Sequence, residues 1–454
     1  MSLEQTLCEH AATVDYSQIG EASMAAARRA TLDTVGCMIA ASCAPGIELL
    51  VEMAREWGGK GEATVIGHGF KAPAPMVAWL NASMARALEI DDCTDFLPLH
   101  PSAGLVPALL AVAQTRPPLS GREFLTALAI GQDLIIRFGS ATRLDGMQSG
   151  RYNLFKIFAI VAATARAIHL DALRTRHAMG IAYSLACGEG QSAVEGALTF
   201  RTHEGNAAQA AIVATMMAER GFTGPLDFLM GPMGFFTSFE PESTVGKIAE
   251  GLGDDFRGEA LSFKPFASCR CTHTAIGLLL GHRHDIDVAR LQSIRITVAP
   301  AVHKLVGTPL PLDREPLTQA AAQFSLAYTA AAALASGDVF LDQFTPQALA
   351  RSDVIGLARR VIVHADDAMH DPGYVLGRTR IDLLFEGGTS MRLEGSEPPG
   401  NPRNQVSEEQ VQRKFRKCAE SAKNRLAEGA IHAWIDRVLA LETVSDVGQC
   451  MKSV

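Results

Sequence analysis

The stretch Asn81–Pro107, NASMARALEIDDCTDFLPLHPSAGLVP, crowds Glu89, Asp91, Asp92, Thr94 and His100 between two apolar runs. Carboxylates and imidazoles cost free energy to bury unless they are paired. A group of them at a helix-to-loop junction therefore points to acid–base chemistry more than to packing. Any one of these residues serves equally well as a helix cap, but three acids and a His exceed what one cap needs. A second polar island, Phe263–His273 (FKPFASCRCTH), gathers Lys264, Arg270 and His273 and opens the apolar run TAIGLLLG. A His in the first turn of a helix meets the positive end of the helix dipole, which favours the neutral ring and lets it exchange protons. The two islands are expected to form two walls of one polar site.

Two further constellations carry chemistry. Within Gly146–Lys156 (GMQSGRYNLFK), Tyr152 and Lys156 are four apart and share a helix face. An ammonium beside a phenol stabilises the phenolate and suits Tyr152 to proton transfer; a solvated Lys156 beside an ordinary amphipathic Tyr152 is the competing reading. Short-chain dehydrogenases use the same Tyr-x-x-x-Lys spacing. Here GGKGEATVIGHG has neither a strand before it nor a βαβ unit after it, so no dinucleotide site is expected. In Thr199–Gly205 (TFRTHEG), Arg201 and His203 stand at a helix start, where a carboxylate would be received. A salt bridge to a neighbouring helix is the other use of Arg201. Cys269 and Cys271 are closer than zinc ligands usually stand, with no second pair nearby, so no metal site is expected.

The elements that must position these residues are mostly helical. A chain of 454 residues is long enough for two or three domains. Runs such as MAAARRATLDTVGCMIAAS, FLTALAIGQDLIIRFGSAT and AAQAAIVATMMAERG repeat apolar residues at spacings of three and four. After Phe263 the pattern alternates, in LQSIRITVAPAVH, RRVIVHADD and the hairpin RTRIDLLFEGGTSMRLEG with Gly387–Gly388 at its turn. Helical runs Gln319–Ser336 and Thr345–Arg360 lie between these strands. The expected fold is mainly α: a large helical domain over 1–262, a smaller α+β domain over 263–400, and C-terminal helices over 401–454 that pack back on the helical domain.

Composition narrows the partners. A net charge of −8 disfavours nucleic acid, and no uncharged apolar run reaches the length of a membrane span. The N-terminus lacks a basic region followed by an apolar one, so no secretory leader is expected. Nine Cys at irregular spacing read as reduced thiols in the cytoplasm.

Taken in order, LEIDDCTDFLPLHPSAGLVPALLA, RTHEGNAAQAAIVATMMAERGFTGP, KPFASCRCTHTAI, FSLAYTAAAALASGDV and RLEGSEPPGNPRNQVSEEQVQRKF resemble successive motifs of the MmgE/PrpD family. That family includes 2-methylcitrate dehydratases, cis-aconitate decarboxylases and an epimerase of iminodisuccinate. The resemblance implies that the α+β domain is a lid inserted before the C-terminal helices. It also implies a homodimer with no metal or organic cofactor, and a site between helical domain and lid. Carried across residue by residue, the family's acidic motif falls on Glu89, Asp91 and Asp92, and its Thr on Cys93 or Thr94. The His of its HPS motif is His100, its later His is His273, and its Tyr is Tyr328. Tyr152 and Phe200 stand where the family's dehydratases and decarboxylases resemble one another in having His and Lys, and Glu89 replaces an Asp.

The activities of that family share one step, the making or quenching of a carbanion next to a carboxylate. The expected substrate is a small di- or tricarboxylate. Arg151, Arg201 and Arg270 are expected to hold its carboxylates, with Lys156 partly replacing the family's Lys. Asp92, Thr94, His203 and Tyr328 complete the binding set, and His100, Tyr152, His273 and Asp91 are the expected catalytic groups. A lyase is expected first, an epimerase or isomerase of a dicarboxylate second, and a non-catalytic acid-binding protein third.

Overall fold

Side-chain caps start helices such as those at Leu3, Gly121, Ala172 and Leu326. In the computed structural model, residues 1–116, 118–142, 150–310, 317–371, 374 and 376–450 are described. The chain is mainly α and divides into two units. The first takes Met1–Ala87, Leu99–Leu261 and the chain from Glu408 onward; the second takes Leu88–Pro98 and Ser262–Ser407.

In the first unit the principal helices are α1 (Leu3–Thr13), α2 (Glu21–Ala40), α3 (Ile47–Trp57), α4 (Ala74–Arg86), α5 (Pro101–Ala113) and α6 (Gly121–Ala141). They continue with α7 (Lys156–Ala167), α8 (Ala172–Tyr183) and α9 (His203–Glu219). Helix α6 shows the local logic: the Ser120 hydroxyl accepts from the Glu123 N–H at 3.3 Å, and the Glu123 carboxylate accepts from the Ser120 N–H at 2.9 Å. This reciprocal cap satisfies donors that a helix start leaves open. Helix α6 is long and apolar enough to cross a membrane, but 94% of its apolar window is buried inside the protein. Its one deep ion pair, Arg137 to Asp133 at 2.7 Å, is wholly enclosed.

Helices α4 and α9 approach most closely at Gly205. A Cβ there would lie 2.3 Å from Ser83 Oγ and 2.4 Å from the Trp79 carbonyl, so only glycine allows this crossing. The later helices, labelled α12 (Glu408–Glu420) and α13 (Glu428–Leu439), belong to this unit. Lys414 of α12 reaches Asp33 of α2 at 2.6 Å in a buried pair. A short hairpin, β1 (Ala63–Val65) with β2 (Phe70–Ala72), interrupts the helices. The helical reading of this region missed it, because strands of three residues give no measurable alternation.

The second unit carries a four-stranded sheet, in the order β4 (Val361–Ala365), β3 (Leu291–Val298), β5 (Thr379–Phe385), β6 (Ser390–Gly395). The β3–β4 pair is parallel; β3–β5 and β5–β6 are antiparallel. Along β5, Thr379, Ile381, Leu383 and Phe385 are buried while the residues between them are not, which is the period of two that the sequence displays. Gly387 and Gly388 turn the β5–β6 hairpin with φ of 87° and 81°, in the region that favours glycine. Helices α10 (His273–Gly281) and α11 (Leu326–Ser336) belong to this unit. The expected helix Gln319–Ser336 is broken at Phe324–Ser325, where the Ser325 hydroxyl caps α11 by accepting from the Tyr328 N–H.

Segment 88–98 differs from expectation: it pairs with the second unit's chain, Cys93 N–H to the Ser262 carbonyl at 2.9 Å and Ser262 N–H to the Cys93 carbonyl at 2.7 Å. The first polar island is therefore divided, with its acids in the second unit and His100 in the first.

Candidate functional site

Each unit holds a buried polar cluster that includes residues expected at the site. In the first unit, helix α9 begins directly after the short 3-10 turn Leu198–Thr202, so His203 and Glu204 occupy its first turn. A carboxylate suits that end of the helix dipole, whereas Lys156, the first residue of α7, does not. The two meet: Lys156 Nζ lies 2.8 Å from Glu204 Oε1, with side chains only 1% and 3% exposed. Gly104 of α5 makes room for the pair, since a Cβ there would stand 3.2 Å from Glu204 Oε2 and 2.9 Å from Ile160 Cδ1. The N-cap of that same helix is His100, half-buried.

Aromatic rings cover the pair. Lys156 Nζ is 5.2 Å from the Tyr152 ring centroid, a cation–π contact that draws the charge toward the phenol. Tyr152 packs against Phe200 at 5.3 Å and His203 at 5.7 Å, and Phe200 lies 5.5 Å from His203. The buried guanidinium of Arg86 sits 5.1 Å above the Phe200 ring. The loop that carries Tyr152 has Gly150 at φ 68° and Asn153 at φ 46°, and it pairs with the chain around Glu189. His203 Nε2 is 3.4 Å from Glu189 Oε1. Burial, and then the Lys156 charge, hold the His203 imidazole below its ordinary pKa.

In the second unit, acids of the first island meet the second island, where Glu89 and Asp95 pair with Lys264 and Arg270. Lys264 Nζ donates to the Glu89 carbonyl and carboxylate, both at 3.2 Å. Glu89 itself is held at φ 58°, a left-handed conformation that strains a residue of its size. Asp95 accepts from Ser262 Oγ at 2.8 Å, Arg270 Nε at 2.7 Å, Arg270 Nη2 at 2.8 Å, Tyr374 Oη at 3.0 Å and Asn401 Nδ2 at 2.8 Å. Burial and the Asp95 charge push the Tyr374 phenol well above its ordinary range, so it remains a donor. Arg270 Nη1 also donates to the Pro399 carbonyl at 2.7 Å and meets His273 Nδ1 at 3.2 Å. Arginine only donates, so Nδ1 accepts, and the ring proton is on Nε2, facing the Ser268 carbonyl at 3.2 Å. His273 is thus a neutral imidazole with both nitrogens engaged.

Several of the expected site residues have partners of their own within the protein. Arg270 is no bare anion receptor, because Asp95 balances its charge in a bidentate pair. Arg201 Nη1 donates to the Pro45 carbonyl at 2.6 Å, and Arg151 Nη1 to the Phe239 carbonyl at 2.7 Å with its guanidinium over the Phe239 ring. Tyr328 donates to the Gln343 carbonyl at 2.6 Å, and burial pushes its phenol up to about 12. Thr94 donates to the Leu97 carbonyl at 2.6 Å, while Asp91 and Asp92 are fully buried in the second unit. Cys93 is a thiol, its pKa pushed up to about 12 by burial. Positions 146–149 of the Tyr152 motif lie outside the described residues.

Tyr152, Lys156 and His203, by contrast, do form one group. The residues that sequence reasoning missed are Arg86, Asp95, Glu189 and Glu204. Only Glu204 left a local signal, as a carboxylate in the first turn of a helix next to a candidate His. The others reveal themselves through partners distant in sequence. Among the described residues, no cluster of three or more His, Cys, Asp or Glu is arranged to hold a metal ion.

Comparison with known proteins completes the description. A cis-aconitate decarboxylase-like protein, oryM, of Aspergillus oryzae (strain ATCC 42149 / RIB 40) is 27% identical, over 98% of this chain and 95% of that protein. A cis-aconitate decarboxylase of Aspergillus terreus is 25% identical over 98% and 94%, and one of Mus musculus is 23% identical over 92% and 86%. The MmgE/PrpD N-terminal domain matches residues 5–246 and the MmgE/PrpD C-terminal domain matches residues 266–441. With both domains present in order over most of its length, this chain belongs to the MmgE/PrpD family.

Proposed function

We propose that this chain is a lyase that removes CO₂ or water from a small di- or tricarboxylate through a carbanion next to a carboxylate. The observation that carries the reading is the grouping of Tyr152, Lys156 and His203 in the first unit. A C–H or C–C bond next to a carboxylate yields its electron pair reluctantly, so the developing charge needs a cation and hydrogen-bond donors already in place. Lys156 supplies the cation, Tyr152 and His203 supply groups that carry protons, and the surrounding rings exclude water. The names of the relatives, a cis-aconitate decarboxylase of Aspergillus terreus, one of the mouse and a cis-aconitate decarboxylase-like protein of Aspergillus oryzae, support this class of reaction.

A second reading, epimerisation of a dicarboxylate, is favoured by Tyr152 and Phe200, which stand where the decarboxylases and dehydratases that the sequence resembles have His and Lys. Glu204 also offsets the charge of Lys156. From the sequence motifs alone we further propose that His100, Asp91, Asp92, Thr94 and His273 take part in binding or proton transfer, and that the protein works as a cytoplasmic homodimer.

The test is incubation with cis-aconitate, citrate, 2-methylcitrate and dicarboxylates, following CO₂ release and the mass of the organic product. Loss of CO₂ or water from one acid supports the lyase. Inversion without mass change supports the epimerase, and conversion of none of the acids defeats both.

A further inference from the structure

His203 stands out among the buried imidazoles of the first unit because its two nitrogens have opposite surroundings. Nε2 faces the Glu189 carboxylate at 3.4 Å. The other carboxylate oxygen, Oε2, accepts from the Ser192 N–H at 2.9 Å, which fixes the direction of the group. Contacts with Ser192 also hold the Glu189 carboxyl below its ordinary range, so it is an anion at neutral pH. A carboxylate only accepts, and Nε2 must therefore carry the ring proton. Nδ1 is left as a bare lone pair. It is buried, has no hydrogen-bond partner among the described residues, and belongs to a ring packed against Tyr152 and Phe200. A buried acceptor without a partner is rare, and such atoms concentrate where a ligand completes the site.

We infer that His203 is the base that exchanges the proton on the substrate carbon next to a carboxylate, and that Glu189 is the residue that positions it. This rests on the lyase reading and assigns its proton acceptor. In the forward step the C–H bond breaks and a Nδ1–H bond forms. The electron pair stays on the carbon, delocalised into the adjacent carboxylate, and the new imidazolium is balanced by Glu189. In dehydration the pair then forms the C=C bond as the C–O bond breaks, and the leaving hydroxide takes the imidazolium proton and departs as water; without that loss the imidazolium returns its proton to the same carbon. Glu189 is half-exposed and lies in a loop, so it can be replaced without disturbing a packed core.

The experiment uses the full-length protein with histidine labelled in ¹⁵N, the His203 signals being assigned by their loss in His203→Gln. In the wild type, His203 should show a protonated Nε2 and an unprotonated Nδ1. Glu189→Ala should shift that tautomer and lower kcat about tenfold or more with KM little changed, and Glu189→Asp should restore part of both. His203→Gln should lower kcat by roughly 10²–10⁴-fold. If the wild type converts an acid and His203→Gln converts it as fast, the inference is overturned and the lyase reading stands. An unchanged tautomer and rate in Glu189→Ala removes the positioning role. If the wild type converts no acid at all, the lyase reading falls and takes this inference with it.

Discussion

Replacing either partner of the Lys156–Glu204 pair should destabilise the protein far more than replacing both. At 2.8 Å and an effective dielectric of about 20, the attraction between the two charges is about 6 kcal/mol. Both side chains are almost wholly buried, so desolvation of several kcal/mol per ion opposes that attraction and leaves the net worth of the pair near zero. The attraction disappears in Glu204→Leu, but the cost of burying the ammonium does not. That variant should lose about 3–5 kcal/mol, and Lys156→Met should lose a similar amount. The double variant Lys156→Met/Glu204→Leu should fall within about 1 kcal/mol of wild type, giving a large coupling in the double-mutant cycle. All three tryptophans, Trp57, Trp79 and Trp434, lie in the first unit with the pair, so urea unfolding followed by Trp fluorescence reads the relevant transition. If the double variant loses the sum of the two single losses, the charges do not interact as described, and the electrostatic reasoning about this cluster fails.

Three further outcomes are expected. Tyr152→Phe should retain the fold while lowering turnover by roughly 10²-fold or more, measured in the assay that converts the best acid; near-normal turnover would remove the phenol from the mechanism. Burial, and then Arg137, hold His10 at about 4 instead of 6.5, so between those values the unfolded chain binds a proton that the native protein does not. Stability should therefore be full above pH 6.5 and fall by about 3 kcal/mol as the pH drops to 4, and His10→Leu should flatten that limb of the unfolding-versus-pH curve. Asp95→Ala strands the buried Arg270 guanidinium, and amide exchange across β3 to β6 should report a local loss of about 3–5 kcal/mol.

The parts legible in the sequence are those written in short-range patterns. Periods of three and four gave the helices, alternation gave β5 and β6, and Gly387–Gly388 gave their turn. Tyr152 and Lys156 do meet, but not on one helix face as their spacing suggested: Tyr152 lies in the loop before α7, whose first residue is Lys156, and the left-handed Asn153 turns the chain between them. What escaped was long-range charge pairing. Arg270 reads in isolation as a receptor for an anion, yet its anion is Asp95, far upstream in the chain. Lys156 reads as a solvated or substrate-facing ammonium until Glu204 is found beside it. Segment 88–98 sits between two helices of the first unit in sequence, and its bridge to Ser262 and its pairs with Lys264 and Arg270 place it in the second. Local composition reports which residues are costly to bury; it does not report which of them meet.

The most direct measurement is proton NMR of cis-aconitate and of hydroxy- and imino-dicarboxylates incubated with the wild-type protein in deuterated water. One acid is expected either to lose CO₂ and take a deuteron at the reacting carbon, or to lose water while its unconverted portion takes deuterium at the carbon that gives up the proton. Every acid recovered intact and undeuterated after prolonged incubation would contradict that expectation.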